Sequence, residues 1–271
     1  MGCPSKDLTS PTLTAIDRVR IDQLLVERGL AASRSQAQRL IAAGVRWRLS
    51  GGSWRAVGKN RDEVPADAEL QLLDDAESRY VSRGGLKLEG ALRATGVQVT
   101  GLRCLDVGQS TGGFTDCLLQ QGAAQVVGID VGHAQVHPRI QMDERVVCIE
   151  GVNARELVPG DERIPDAEQG FDVLVGDVSF ISLTLVLPGV VPMLKPGGQL
   201  LMLVKPQFEL QPGQVGKGGI VRDASLYVLV EQRIRSALSD LGLTVQAWLD
   251  SPIEGGDGNR EFFVQALKPA N

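Results

Sequence analysis

Seven short apolar runs lie between residues 104 and 267, and they constrain the fold of this chain more than any other feature. They are "CLDVG", "QVVGIDVG", "RVVCIEG", "FDVLVGDVS", "QLLMLVKP", "TVQAWLD" and "EFFVQAL". Segments with helical spacing or turns separate them. Apolar runs that alternate with helices are typical of a doubly wound, mostly parallel sheet. The sequence therefore predicts an α/β, Rossmann-like fold with a seven-stranded sheet.

The last two runs predict one antiparallel strand. The loop "SPIEGGDGNR" between them is short enough for a hairpin. If "TVQAWLD" runs parallel to the other strands, the final strand begins at the edge where they end. Glu261, which opens that strand, is therefore expected at the carboxyl edge of the sheet.

Polar residues stand where the other predicted strands end. In open α/β sheets, ligands bind outside the carboxyl ends of the strands. These ends carry Gly108, Asp130, Asn153, Asp177 and Lys205. The stretch "LDVGQSTGGFTD" adds a glycine-rich turn between a strand and a helix, where backbone amides can approach a ligand closely. A nucleotide-type ligand is therefore expected at this edge.

Two ligands compete for the glycine-rich turn. A nicotinamide site needs G-x-G-x-x-G and an acidic residue about 20 positions on, and Asp130 meets only the second condition. Asp106 stands beside the turn, where a carboxylate disfavours a pyrophosphate and favours a sulfonium. S-adenosylmethionine (AdoMet) is therefore the predicted cofactor. The predicted cofactor-binding residues are Asp106, Gly108, Ser110, Gly112, Gly113, Phe114, Thr115, Asp130, Val131, Asn153 and Asp177.

Positive charge is concentrated near the N-terminus. From Arg18 to Arg61 there are nine Arg and one Lys against Asp22 and Glu27, a net of +8, although the whole chain carries −5. A solvated basic face and a phosphate-binding face both fit this pattern. The second predicts contacts with RNA phosphates from Arg20, Arg28, Arg34 and Arg39 in this region, and from Lys217 in the later loop "VGKGGIVRD".

Two short predicted helices organise the basic region. Gly29 ends the first, and a capping box formed by Ser33 and Gln36 starts the second, which Gly44 closes. "RIDQLLVERGLAASRSQAQRLIAAGVR" resembles the alpha-L RNA-binding domain of ribosomal small-subunit protein four. The predicted organisation is a tail over residues 1–17, an alpha-L domain over 18–76, a linker over 77–84 and a methyltransferase domain over 85–271. Trp47 and Trp54 lie among arginines, which suits either base stacking or packing.

Several motifs resemble the TlyA family, which joins an alpha-L domain to an FtsJ-like methyltransferase domain. They are "LDVGQSTGGFTD", "IDVG" with Gln135, "DVSFISL", "LVKPQFE", "GKGGIVRD" and "GNREFF". This resemblance implies a Rossmann-like AdoMet-dependent methyltransferase fold that methylates ribose 2′-hydroxyls in ribosomal RNA. Gln109 departs from the family, which usually has a small residue there.

A Lys–Asp–Lys–Glu set is the arrangement that this family uses, and it matches Lys87, Asp177, Lys205 and Glu261. Asp177 and Lys205 each end an apolar strand, and Lys87 lies in a predicted helix within "SRGGLKLEGALRATG". A ribose hydroxyl is a weak nucleophile, so a base must take its proton. Lys205 is the predicted base, with Lys87 as the alternative.

Other classes of function have less support. His133 and His137 stand four apart, but no third metal ligand is apparent, so no metal is expected. Cys104 and Cys117 flank apolar runs and are expected to be buried free thiols. No window reaches the ~18 apolar residues that a membrane span needs, so a cytoplasmic protein is expected. Two alternatives remain: a membrane-active haemolysin, a name the family also carries, and a non-catalytic RNA-binding or ribosome-assembly factor.

Overall fold

The computed structural model describes residues 17–73 and 79–270, which divide into two compact units. The first unit covers Met1–Ser78 and the second Arg79–Asn271. The predicted tail over residues 1–17 lies outside the described residues except for Asp17. The predicted linker over 77–84 lies partly outside them. The domain limits 18–76 and 85–271 therefore stay predictions.

Within residues 17–73, the first unit contains two helices and five short strands. The helices are α1 (Ile21–Glu27) and α2 (Arg34–Gly44), and the strands are β1 (Arg18–Arg20), β2 (Val45–Arg48), β3 (Arg55–Ala56), β4 (Glu63–Pro65) and β5 (Glu69–Leu72). Strand β1 pairs antiparallel with β4, and β2 pairs antiparallel with both β3 and β5. Apolar residues of both helices form its core, including Ile21, Leu25 and Leu40.

The residues predicted to begin and end the helices of this unit lie at the helix ends. Ser33 Oγ accepts a hydrogen bond from the Gln36 amide at 3.3 Å and caps α2. Gly44 at the end of α2 has a φ of 122°, and Gly29 after α1 has a φ of 69°. Residues that carry a side chain rarely adopt such positive φ angles, so glycine lets the chain leave each helix at these points.

The second unit is built on a seven-stranded sheet, as the sequence predicts. Its strands are β6 (Arg103–Val107), β7 (Gln125–Ile129), β8 (Val146–Ile149), β9 (Phe171–Gly176), β10 (Leu194–Val204), β11 (Thr244–Asp250) and β12 (Phe262–Leu267). The strand order is β11-β12-β10-β9-β6-β7-β8. Strand β12 is antiparallel to both β10 and β11, while the other pairs are parallel. The hairpin prediction for the last two strands is therefore confirmed.

Helices cover both faces of this sheet. They are α3 (Gly84–Thr95), α4 (Gly113–Gln120), α5 (Pro138–Gln141), α6 (Leu183–Val190), α7 (Pro206–Glu209) and α8 (Ser225–Asp240). One core cluster joins the strands to α6 and α8, and a second joins them to α3 and α4. In β9, Leu174 belongs to the first cluster while Val173 and Val175 belong to the second. Because adjacent strand residues point to opposite faces, a continuous apolar run supplies both cores.

Cys104 and Cys117 are buried free thiols, as predicted. Cys104 lies on β6 and Cys117 on α4, and both belong to the core cluster under α3 and α4. Burial raises the pKa of each thiol to about 12. These cysteines therefore contribute to packing as small apolar groups.

Candidate active site

The glycine-rich turn joins β6 to α4 at the carboxyl edge of the sheet. Gly108 has a φ of 82°, and a Cβ there would lie 2.6 Å from the Asp177 carbonyl oxygen. A Cβ on Gly113 would lie 2.1 Å from Ser82 Oγ. Glycine at these two positions lets the turn approach the ends of neighbouring segments closely. This close approach shapes the floor of the site.

Two adjoining cavities, of about 330 and 260 Å³, open beside this turn. Gly108, Ser110, Asp177 and Ser179 line both of them. The larger cavity is also lined by Ile129, Asp130, Val131, Gln135, Val152, Asn153, Ala154, Val178, Phe180, Ile181 and Val186. The smaller one is also lined by Ser82, Gly84, Gln109, Gly113, Phe114 and Lys205. Eight of the predicted cofactor-binding residues therefore border one cavity or both.

Asp130 follows β7 and is held by the backbone. Its two carboxylate oxygens accept hydrogen bonds from the amides of Ser110 and Gly132, each at 2.7 Å. Ser110 Oγ also donates to Gln135 Oε1 at 3.2 Å. Each carboxylate oxygen can accept further hydrogen bonds. A fixed carboxylate with free lone pairs that borders the larger cavity is suited to bind vicinal hydroxyls.

Asn153 serves the fold as well as the cavity wall. Its side chain accepts from the Arg155 amide at 3.2 Å and donates to Glu156 Oε1 at 3.1 Å, which starts a short 3-10 turn. Val131 lies nearby on the same wall and is 70% exposed. Both interpretations made from the sequence, a turn residue and a cavity residue, describe features that Asn153 has.

Three predicted cofactor residues, Asp106, Gly112 and Thr115, line neither cavity. Asp106 is fully buried and accepts a hydrogen bond from Thr115 Oγ1 at 2.7 Å. Thr115 Oγ1 accepts in turn from Gln109 Nε2 at 2.9 Å. Burial raises the pKa of Asp106 to about 7. Asp106 and Thr115 therefore support the turn from behind, and their contact with a cofactor stays a prediction.

The four predicted catalytic side chains form two ion pairs. Lys87 Nζ lies 2.6 Å from Glu261 Oε2, and the two side chains are 9% and 3% exposed. Lys205 Nζ pairs with Asp177 Oδ1, and also donates to Ser179 Oγ at 2.7 Å. Lys87 comes from α3, whereas the other members come from the ends of β9 and β10 and the start of β12. The topology brings together residues that are far apart in the sequence.

The two pairs act on each other electrostatically. Burial raises the pKa of Glu261, while the charges of Lys87 and Lys205 lower it and that of Asp177 raises it. The charges of both lysines and of Asp177 therefore affect the pKa of Glu261. The four residues thus form one electrostatic cluster.

Two family models match the chain. The FtsJ-like methyltransferase model covers residues 80–268, and the S4 domain model covers residues 19–44. The chain belongs to the FtsJ-like methyltransferase family. The expected fold class is therefore confirmed for the larger unit, and an S4 domain is confirmed in the basic region.

Three relatives illustrate the likeness. The "16S/23S rRNA (cytidine-2'-O)-methyltransferase TlyA" of Mycobacterium tuberculosis strain H37Rv is 43% identical, over 91% of this chain and 89% of its own. "Hemolysin A" of Brachyspira hyodysenteriae is 38% identical, over 92% and 100%. The solved structure of a provisionally named hemolysin from Streptococcus thermophilus has 39% identity and a TM-score of 0.69, covering 94% of this chain and 90% of its own. The predicted resemblance to the TlyA family is confirmed. One of these relatives carries a methyltransferase name and another carries a hemolysin name.

The sequence did not predict that the segment directly after Asp177 lines the candidate site. Val178, Ser179, Phe180 and Ile181 all line the larger cavity. Phe180 is 90% exposed, has a φ of 63°, and lies 5.1 Å from the ring of Phe208. A signal was present, because these residues directly follow a strand end at the ligand-binding edge. Gln135 was noted only as part of a motif, although it also lines the cavity.

The basic residues of the S4 unit are more engaged with protein than the sequence predicts. Asp22 is fully buried and pairs with Arg20 at 2.8 Å and Arg34 at 2.9 Å. Burial opposes ionisation of Asp22, but hydrogen bonds and charges of the two arginines outweigh it and lower its pKa to about 2. Arg28 donates to the Ala66 carbonyl at 2.5 Å. These arginines hold the unit together, and their outer edges remain exposed for other contacts.

The other two predicted RNA contacts are Arg39 and Lys217. Arg39 lies half-buried on α2, and Lys217 is exposed in a 3-10 turn of the second unit. Trp47 packs against the S4 core with Arg55 5.3 Å from its ring centroid, and Arg48 lies 4.5 Å from that of Trp54. Trp47 therefore has the packing role that the sequence left open.

The two histidines have other partners. His137 accepts a hydrogen bond from the Arg139 amide at 3.1 Å and caps α5, while His133 Nδ1 lies 3.9 Å from Glu150. Within residues 17–73 and 79–270, no group of three or more His, Cys, Asp or Glu side chains is arranged to hold a metal ion. No helix in these same ranges is both long and apolar enough to cross a membrane.

Proposed function

We propose that this methyltransferase uses AdoMet to methylate ribose 2′-hydroxyls of ribosomal RNA. The observation that carries the proposal is the position of Lys205. Its Nζ atom is held by Asp177 and Ser179, and both of these residues line the two cavities. In its neutral form this amine is a proton acceptor, and it lies where a pocket suited to a nucleotide-like ligand meets a second, open pocket.

The residues of the larger cavity fit AdoMet. Asp130 presents fixed carboxylate oxygens to the ribose hydroxyls, and Asn153 borders the region proposed for the adenine. The turn from Gly108 to Gly113 would face the methionine end. Asp177, which is 23% exposed at the junction of the cavities, would repel a pyrophosphate and attract a sulfonium. AdoMet, when bound, supplies an electrophilic methyl group on its sulfonium.

Lys205 is the proposed base because it, unlike Lys87, borders one of the two cavities. Only the neutral amine form of a lysine can accept a proton, because the ammonium form has three donors and no lone pair. In the neutral form the two N–H groups would be engaged by Asp177 and Ser179, and the lone pair would face the ribose hydroxyl. As the hydroxyl oxygen bonds to the methyl group that AdoMet would supply, leaving S-adenosylhomocysteine, the hydroxyl proton would pass to this lone pair. Asp177 and Ser179 hold that nitrogen in line, which is an orientation effect.

Lys87 and Glu261 act behind this base. They line neither cavity, so we assign them to positioning and charge balance rather than to contact with the ribose. The positive charge of Lys87 balances Glu261 in a buried environment. Removing either one should therefore slow methyl transfer without closing the cofactor pocket.

The RNA substrate is proposed from the S4 domain, from the net +8 between Arg18 and Arg61, and from the name of the Mycobacterium relative. Basic residues on a compact unit give affinity through phosphate contacts. A protein with this substrate would act in the cytoplasm, where ribosomal RNA is found. A membrane-active haemolysin remains the rival function, because relatives carry that name.

The decisive experiment is single-turnover transfer of labelled methyl groups from AdoMet to ribosomal subunits. Lys205→Ala should abolish transfer while AdoMet binding by calorimetry stays close to wild type, because the lost interaction belongs to the transition state. Lys195→Ala is the matched control, since Lys195 pairs with Asp172 at the opposite end of β9 and β10. Near-normal transfer by Lys205→Ala would refute its role as base.

Two further measurements separate the alternatives. Calorimetry with AdoMet, S-adenosylhomocysteine and NAD tests the cofactor, and a response to NAD alone would refute the AdoMet proposal. Leakage of dye-loaded liposomes that persists in Lys205→Ala would favour the haemolysin. A protein that binds ribosomal RNA but transfers no methyl group in any subunit preparation would favour the assembly factor.

A further inference from the structure

We infer that Asn259 is a positioning residue that fixes the loop carrying Lys217 beside the catalytic residues, so that this loop can contact RNA. The inference rests on the proposed function for its substrate. Asn259 precedes Glu261 by two positions and is 1% exposed. A buried amide of this kind needs hydrogen-bond partners, and each of its partners lies in a segment next to the site.

The Asn259 side chain forms three hydrogen bonds. Its Oδ1 accepts from the Val221 amide at 3.0 Å, and its Nδ2 donates to the Gly219 carbonyl and to Asp257 Oδ2, each at 2.9 Å. Both amide hydrogens are therefore used. Two of the three bonds reach across to residues 219–221, which lie about 40 positions earlier in the chain.

The loop that Asn259 holds is intrinsically flexible. Residues 216–221 read "GKGGIV", and Gly218 and Gly219 have φ angles of 80° and 81°. Glycines carry a high conformational entropy in a free chain. Val221 is buried, and its carbonyl accepts from Tyr227 Oη at 3.1 Å. The contacts at Val221 and Gly219 fix one end of the loop, and Lys217 remains exposed on the other side.

The same hydrogen bonds connect the loop to the catalytic cluster. Asp257 Oδ2 also accepts from Gln207 Nε2 at 3.0 Å, and Gln207 lies two residues after Lys205. The Gly255 amide donates to the Asn259 carbonyl at 2.9 Å. A Cβ on Gly255 would lie 2.6 Å from Glu261 Oε1, so this turn packs directly against the carboxylate. Asn259 therefore links the loop, the turn before Glu261 and the helix after Lys205.

This arrangement favours a preformed loop over a movable one. A rigid loop loses little entropy when it binds, so an exposed lysine on it adds more affinity than one on a free loop. Lys217 and Arg222 are the basic residues on the stretch from 213 to 222, and both are exposed. We therefore assign this loop to the edge of the RNA-binding surface nearest the catalytic residues.

The test is a double-mutant cycle between Asn259 and Lys217, measured as equilibrium binding to ribosomal subunits over a range of salt. Lys217→Ala should weaken binding on the order of tenfold, as expected for one charged contact, and reduce the salt slope by about one unit. In an Asn259→Ala background the same change should have little further effect, because the loop no longer presents Lys217. Lys195→Ala serves as a control and should add independently in both backgrounds.

Three additional readouts accompany the cycle, and the first two of them do not depend on catalysis. Trypsin cleavage after Lys217 or Arg222 should be faster in Asn259→Ala than in wild type, and AdoMet affinity should be unchanged. In steady-state transfer, the KM for RNA should rise more than kcat falls. If Asn259→Ala fails to fold, Asn259→Ser, which keeps one hydrogen-bonding group, takes its place in the cycle.

An equal effect of Lys217→Ala in both backgrounds would overturn the inference, as would unchanged trypsin cleavage. A lower kcat with an unchanged KM would also overturn it. Failure of the proposed function looks different: wild-type protein would then bind no ribosomal subunits and transfer no methyl groups, while the trypsin difference between wild type and Asn259→Ala would persist.

Discussion

The buried pair of Lys87 and Glu261 gives the sharpest prediction about stability. The two side chains are 9% and 3% exposed and lie 2.6 Å apart. Lys87→Met keeps most of the side-chain volume but leaves the Glu261 carboxylate buried without its partner. Removal of one partner from a buried pair costs about 3–5 kcal/mol. For a domain of this size, where 1 kcal/mol shifts Tm by about 2–4 °C, the expected loss is roughly 6–20 °C.

This loss should depend on pH in a defined direction. Burial raises the folded-state pKa of Glu261, and the Lys87 charge opposes that rise. Without Lys87 the folded pKa should lie higher still above the unfolded value of about 4.3. A carboxyl group with a raised folded pKa contributes stability below its unfolded pKa and loses it as pH rises through the folded pKa. The Lys87→Met variant should therefore lose more stability at pH 8 than at pH 5.

Trp248 offers a local probe of this unit. It stacks on Phe262 with ring centroids 5.3 Å apart, next to Glu261. Replacing Trp47 and Trp54 by Phe leaves Trp248 as the only tryptophan, because the chain has three. Thermal melts followed by its fluorescence at pH 5 and pH 8 then report unfolding of the methyltransferase unit alone.

Lys195→Met is the matched control, since the pair of Lys195 and Asp172 is 37% and 28% exposed. Its loss should stay below about 1 kcal/mol and change little between pH 5 and pH 8, because the Asp172 pKa is lowered. A Lys87→Met variant that loses the same stability at both pH values would contradict a buried, ionised Glu261. A loss no larger than that of the control would refute the cost assigned to the pair.

Three other changes test separate parts of the structure. Gly108→Ala should abolish AdoMet binding measured by calorimetry, because its Cβ would lie 2.6 Å from the Asp177 carbonyl at a φ of 82°; near-normal binding would contradict this account of the turn. Ser179→Ala should lower kcat for methyl transfer more than it changes AdoMet affinity, because it loses the 2.7 Å contact that orients Lys205. Asp22→Asn should destabilise the S4 unit at pH 7 in melts followed by Trp47. The Asp22 contribution, present above the unfolded pKa of about 3.9, should fade in wild type as pH falls toward the folded pKa of about 2.

The sheet and the positions of most residues of the proposed catalytic set could be predicted because both depend on strand ends. A run of five or more apolar residues identifies a buried strand, and its last residue then marks the ligand-binding edge. This reasoning placed Asp177 and Lys205, and the hairpin placed Glu261. Lys87 required the family resemblance, since its helix contributes no strand end and nothing local in the sequence indicates which residue it faces.

The features that the sequence did not show have a different physical origin. Asp106 stands beside the turn in sequence, but side chains alternate along a strand, and its own lies in the interior against Thr115. The net charge of the basic region likewise did not show that a single buried acidic residue, Asp22, binds both Arg20 and Arg34. A charge count gives the sign of a region, whereas partners that lie apart in the sequence are set by the tertiary fold.

The burial of the two ion pairs explains how one cluster can hold two lysines with different tasks. The pair of Lys87 and Glu261 is the more buried one, because its side chains are 9% and 3% exposed, whereas those of Lys205 and Asp177 are 12% and 23% exposed. A closed pair keeps its charges fixed, because separating them would leave an unpaired charge in the protein interior. The more open pair borders the cavity, where its lysine can face a substrate hydroxyl. This difference in burial supports the proposal that the inner pair provides a fixed charge balance and that Lys205 of the outer pair accepts the hydroxyl proton.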